Sequence, residues 1–326
     1  MQTSAWKNGD IVIFFGDSIT AAEKYTRILI DFYVLHYPEK NILFYNAAIP
    51  GLSTRFTIDN FETLVSGINP TAATVMFGMN DLQPALYADS AKITDALCEK
   101  RTRAFNTYCE NVKLLDSMLG HIPHIFFTPT PHDENPKISA PLYGGYDIAL
   151  QRAASWITDT FSPSLDLHTP LTRANACRLT ETIIGPDRVH PGNIGHCLIA
   201  YKILEAQGFL NPRLPMWDET ITDEEKSILA RLGIYADNAA KNPFSDARAA
   251  ASRRFILHRY VEMNVLAGQG ISPEDTARAD AFLKKQIAMP IEKWRIEAYE
   301  DYMQHRLLGD TYQTEAEYYM KKMYFA

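Results

Sequence analysis

No apolar run in the 326-residue sequence approaches the roughly 20 residues that span a bilayer. The opening Met1-Gln2-Thr3-Ser4-Ala5-Trp6-Lys7-Asn8-Gly9-Asp10 also lacks the apolar stretch of a secretory leader. The expected compartment is therefore the cytoplasm, although a secreted chain with its leader removed would read the same way. Basic charge is in short supply: 32 Lys and Arg stand against 39 Asp and Glu, a formal net charge of −7. Nucleic-acid binding relies on Lys and Arg to neutralise phosphates, so no nucleic-acid partner is expected. Cysteine is scarce as well. Cys98, Cys109, Cys177 and Cys197 form no CxxC pair and are too few for a disulfide scaffold at this length, which reads as reduced core thiols. Internal repeats and low-complexity tracts are missing too. What is present is 46% hydrophobic and 22% charged residues, the usage of an ordinary globular protein with a sizeable core and one or two domains.

From residue 10 to about 208, short apolar runs alternate with longer amphipathic stretches, the pattern of strands and crossover helices in a parallel sheet. Candidate strands are Ile11-Val12-Ile13-Phe14-Phe15, Ile42-Leu43-Phe44-Tyr45, Ala73-Thr74-Val75-Met76-Phe77 and His124-Ile125-Phe126-Phe127, with a weaker one at Leu165-Asp166-Leu167. All are short and continuously apolar, as strands buried on both faces are. Residues 20–37, 90–119, 145–160 and 194–207 carry helical spacing, which gives a three-layer α/β/α sandwich. Residues 128–146 are rich in Pro, Gly, Asn and Asp and read as a long loop at the carboxyl edge of the sheet, where loops border the ligand crevice. After Pro212 only helical patterns remain, two opened by the capping boxes Thr222-Asp223-Glu224-Glu225 and Ser272-Pro273-Glu274-Asp275. The expected division is a catalytic domain over 1–211 and an all-helical extension over 212–326. The extension's Tyr299, Tyr302, Tyr312, Tyr318, Tyr319 and Tyr324 read as helical core, and it offers a surface through which an oligomer could form.

Four segments fall at predicted strand ends or before a helix. Gly16-Asp17-Ser18-Ile19-Thr20 follows the first strand, which puts Ser18 at a strand-to-helix turn among free backbone N–H groups. Alone, such a triplet is as easily an N-cap. Asp187-Arg188-Val189-His190-Pro191 precedes the last helix of the α/β half. A serine hydroxyl is a poor nucleophile without a base and a group that orients the base, and an Asp and a His three apart in one loop can supply both. The other histidines, His36, His121, His124, His168, His196, His258 and His305, read as solvated or helix-capping. Gly51 and Asn80 come after the second and third strands. With the N–H of Ser18, the N–H of Gly51 and the amide of Asn80 would make a three-donor oxyanion hole. Each is singly explicable as a turn residue; four such coincidences in chain order are not.

Gly16-Asp17-Ser18, Gly51, Gly78-Met79-Asn80-Asp81 and Asp187-Arg188-Val189-His190 resemble the four sequence blocks of the SGNH (GDSL-type) hydrolases over residues 10–207. The resemblance implies a flavodoxin-like sheet of five parallel strands in the order 2-1-3-4-5, and ester hydrolysis through an acyl-serine. It implies Ser18 as nucleophile, His190 as general base, Asp187 as its orienter, and Ser18, Gly51 and Asn80 as the oxyanion hole. No metal or cofactor is called for. His121 with His124, and His132 with Asp133 and Glu134, lack a coherent set of further ligands and read as polar loop residues. The expected activity is carboxylic ester hydrolysis on a small-molecule ester, with removal of acetyl groups from a carbohydrate preferred by family analogy. A lysophospholipase or short-chain lipase is the alternative within the class, and a non-catalytic binding protein on the same fold the alternative outside it.

Overall fold

Five short strands make the central sheet: β1 (Ile11–Gly16), β2 (Leu43–Asn46), β3 (Ala72–Met76), β4 (His124–Phe127) and β5 (Ser164–Leu165). Their order is β2-β1-β3-β4-β5, and every pair is parallel. The computed structural model describes residues 3–37, 40, 42–65, 69–88, 92–135, 142–177, 183–215 and 222–237. The flavodoxin-like sandwich expected from the sequence is the fold observed.

Side chains alternate across the sheet, and the aromatic residues show where each face is sealed. Phe14 turns toward one face and meets Trp6 at 5.9 Å between ring centroids; Phe44 joins the same cluster. Tyr33 of α2 (Lys24–His36) completes it, 4.9 Å from Trp6. Helix α8 (Asn193–Ala206) packs beside α2 on this face and is buried almost all round. On the other face Phe15 stacks on Phe61 at 5.9 Å, where α3 (Thr54–Asp59) and α4 (Phe61–Val65) link β2 to β3. There too Tyr108 of α5 (Asp95–Leu119) packs on Trp156 of α6 (Tyr146–Thr160). The length of α5 is set at its two ends: Thr94 accepts the Leu97 N–H, and Gly120 stops it at φ 55°.

The differences from sequence expectation are local. The two short helices α3 and α4, and α7 (His168–Ala176), went unpredicted, because six, five and nine residues are too few for a clear apolar period. The weak last strand has only two residues. Beyond residue 212 the pattern of helices alone is joined by a two-residue parallel pair, β6 (Leu214–Pro215) with β7 (Ala236–Asp237). Between them α9 (Asp223–Arg231) opens with the expected capping box, Thr222 and Glu225 each bonding the other's backbone. Leu214, Ile228, Leu229 and Ile234 are buried in the same core as β1. The second capping box and the tyrosines named above lie outside the described residues. None of the four cysteines is in a disulfide, but only Cys197 is a buried thiol; Cys98 and Cys177 are exposed. No helix among the described residues is long and apolar enough to cross a membrane.

Candidate active site

The site begins where β1 runs into α1 (Ser18–Ala21). A Cβ on Gly16 would lie 2.3 Å from Thr20 Oγ1, so only glycine lets the chain turn this tightly. Asp17 caps α1 by accepting the Ile19 N–H at 3.0 Å. Ser18, half-buried, is the first residue of that helix, where backbone N–H groups have no intrahelical acceptor. The loop after β2 is tied to this turn: Asn46 Nδ2 donates to the Thr20 carbonyl at 3.1 Å and the Ile49 N–H to the Gly16 carbonyl at 3.3 Å. Gly51 follows at φ +76° with open space where a Cβ would stand.

Beyond β3, Asn80 Nδ2 donates to the Leu52 carbonyl at 3.0 Å, which uses one of its two amide hydrogens. Asp81 grips the same loop from below, accepting from the Thr54 N–H at 2.9 Å and from the Thr54 hydroxyl. The backbone on either side of Gly78 is held by two tyrosines. Tyr108 donates its hydroxyl to the Phe77 carbonyl at 3.2 Å, and Tyr146 donates to the Met79 carbonyl. Gly51 and Asn80 therefore come together through Leu52, beyond the carboxyl ends of β2 and β3, the two strands that flank β1.

The fourth segment is a turn closed by the bridge between Ile184 and Pro191 and by the Gly185 N–H, which donates to the His190 carbonyl at 2.7 Å. Asp187 Oδ1 accepts the N–H groups of Val189 and His190, each at 3.0 Å. Its Oδ2 faces His190 Nδ1 at 2.6 Å, and His190 Nε2 faces Ser18 Oγ at 2.7 Å across 172 positions of sequence. With Nδ1 donating to the carboxylate, Nε2 is left as the acceptor for the serine hydroxyl. Burial pushes the Asp187 carboxyl up, but the backbone and imidazole of His190 and the Val189 N–H outweigh it and hold the group below its ordinary range. It stays ionised beside the imidazole.

For several residues in and around the site the sequence carried no sign of burial. Asp17 is buried, and that burial raises its carboxyl to about 7, with the Ile19 N–H opposing and the Asp81 charge adding. Asp81 is raised for the same reason, burial, against the two bonds from Thr54. His132, read as a polar loop residue, is buried against the rings of Tyr143 and Tyr146; burial pushes its imidazole down. Asp133 and Glu134 bond the N–H groups of Asn135 and Asp147. His168 and His196, read as solvated or capping, are buried as well. His196 stacks on Tyr25, and burial, with the Lys24 and His190 charges, lowers it to about 3. Each sits where the fold, not the local sequence, removes water. His258 and His305 lie outside the described residues.

The sequence profile of the family described as GDSL-like Lipase/Acylhydrolase matches residues 12–203, more than half of the chain. The protein belongs to this family. The matched span is the GDSL-like acylhydrolase domain, and it holds the four segments just described. Among solved structures, the domain is similar to BT4096, described as a gut microbial diltiazem-metabolizing enzyme, at 24% identity and a TM-score of 0.58. That match covers 64% of this chain and 49% of the other, so the protein spans about half of that enzyme's length. It is also similar to a catalytic mutant of Axe2, an acetylxylan esterase from Geobacillus stearothermophilus, at 20% identity and a TM-score of 0.51, over 63% of this chain and 97% of that one. At these identities the likeness is one of fold. No curated protein matches the chain.

Proposed function

We propose that this GDSL-like protein is a serine carboxylic ester hydrolase that removes small acyl groups, acetyl foremost, from a carbohydrate or similar small molecule. The observation that carries the reading is the unbroken chain from Asp187 through His190 to Ser18, with contacts of 2.6 and 2.7 Å. In this reading Ser18 Oγ attacks the ester carbonyl while its proton passes to His190 Nε2. The imidazolium that forms faces the Asp187 carboxylate. The carbonyl oxygen, now carrying the negative charge, is met by the N–H groups of Ser18 and Gly51 and by the free amide hydrogen of Asn80. Collapse breaks the ester C–O bond, and His190 hands its proton to the departing alcohol. Water then attacks the acyl-serine with His190 again accepting a proton, and the acid and free Ser18 result.

Acetylated carbohydrate as the substrate class is in keeping with the description of Axe2 as an acetylxylan esterase. The test is hydrolysis of p-nitrophenyl esters from acetyl to octanoyl, with Ser18→Ala alongside. Turnover confined to the shortest acyl groups and abolished in the variant is the expected result. A preference for long chains would move the reading to a lysophospholipase or lipase. Activity that survives Ser18→Ala would overturn the nucleophile, and no hydrolysis of any ester would favour a binding protein.

A further inference from the structure

Within the turn that carries Asp187 and His190, one side chain points the other way. The side chains of Asp187 and His190 are 52% and 44% exposed, whereas Arg188 between them is only 2% exposed. Its backbone explains the inversion. Arg188 stands at φ +69°, the left-handed region that a residue with a bulky side chain rarely adopts. The guanidinium is thereby driven beneath the turn, where Nη1 donates to the carbonyl oxygens of Asp133 and Asn135, each at 2.7 Å. The backbones are joined too: the Asp133 N–H donates to the Arg188 carbonyl at 2.9 Å, and the Arg188 N–H to the Gly185 carbonyl at 3.0 Å. The segment so gripped is itself fixed to the start of α6. The His132 N–H donates to Asp147 Oδ1 at 2.9 Å, and Glu134 Oε1 accepts the Asp147 N–H at 3.0 Å.

Such an arrangement asks for a reason, because a fully buried guanidinium in a strained turn is an expensive way to fill space. Planar and always charged, an arginine with several donors is suited to holding two acceptors at once. Ser18 sits at the end of a central strand, but His190 rests on a turn with half its surface in water. We infer that Arg188 is a positioning residue for ester hydrolysis: it pins the His190 turn to the segment 133–135 and so holds the imidazole at hydrogen-bonding distance from Ser18. This rests on the functional reading above. It also makes segment 133–135, within the loop at the carboxyl edge, part of the scaffold of the catalytic histidine.

The test compares wild type with Arg188→Met, which fills the volume without donors, and Arg188→Gly, which suits the left-handed backbone and leaves room for a small cation. Misplacing a reacting group by about 1 Å can lower turnover by roughly a hundredfold. Arg188→Met is expected to lose ten- to hundredfold in kcat on a p-nitrophenyl ester, with KM within about twofold of wild type. Amide hydrogen exchange of the 187–190 segment should quicken while that of β1 does not. In Arg188→Gly, added methylguanidinium should restore part of the lost kcat. A folded Arg188→Met with wild-type kcat and unchanged exchange would overturn the inference. So would an activity loss that only tracks global unfolding, or an Arg188→Gly enzyme indifferent to methylguanidinium. If wild type shows no Ser18-dependent hydrolysis the ester reading itself fails, and the exchange measurement still decides whether Arg188 fastens the turn.

Discussion

Replacing Asp17 by Asn should make the protein more stable at alkaline pH, even though Asp17 adjoins Ser18. Its carboxyl is buried and raised from an ordinary 3.8 to about 7, chiefly by loss of water, with the Asp81 charge adding. A carboxyl raised on folding favours the folded state only while protonated. Its contribution is full below 3.8, declines as pH climbs, and is gone above about 7. At 1.36 kcal/mol per pH unit the whole displacement is worth roughly 4 kcal/mol. Asn at this position can still accept the Ile19 N–H that Asp17 now accepts at 3.0 Å, and Asn and Asp are comparable helix caps. The variant's advantage should therefore widen by roughly 3 kcal/mol between pH 5 and pH 8. Urea unfolding of both proteins at half-unit pH steps measures it, through the midpoint and slope. A constant difference across that range, or a variant that loses ground as pH rises, would refute the argument that burial controls this carboxyl.

Two further substitutions probe neighbouring parts of the site. Asn80→Ala removes the amide proposed as an oxyanion donor and its bond to the Leu52 carbonyl; kcat should fall roughly a hundredfold or more, and a loss under threefold in steady-state assays would exclude the amide from the reaction. Gly16→Ala places a methyl 2.3 Å from Thr20 Oγ1, in a turn with no room to relax, and should destabilise by about 1–3 kcal/mol, visible as a lower urea midpoint. A midpoint at or above wild type would show that the turn yields.

How far the sequence could be read divides along the kinds of force involved. The strands announce themselves because a run such as Ile11-Val12-Ile13-Phe14-Phe15 has few other ways to be buried, and β1 occupies those residues plus Gly16. Ser18, Asp187 and His190 are legible as candidates because acyl transfer restricts the residue types, and the fold brings them into one hydrogen-bonded chain. What stays hidden is whatever depends on distant packing. Nothing around Arg188 says that its backbone turns left-handed and its charge goes inward, since the carbonyl groups it meets belong to residues more than fifty positions away. The burial of His132, His168 and His196 is likewise a property of the helices and rings that cover them. The short α3 and α4 have too few residues for a clear apolar period, and α3 is fastened from outside, Thr54 at its start by Asp81 from beyond β3.

Two of the four thiols, Cys98 and Cys177, stand at the surface and are unpaired with each other or with any other cysteine. Exposed thiols exchange and oxidise readily, so concentrated protein kept in air can link chain to chain through either of them. A dimer seen without reductant would then report storage rather than self-association. The same two positions are convenient anchors for a spectroscopic label or a solid support, as neither belongs to the Ser18, His190 and Asp187 chain.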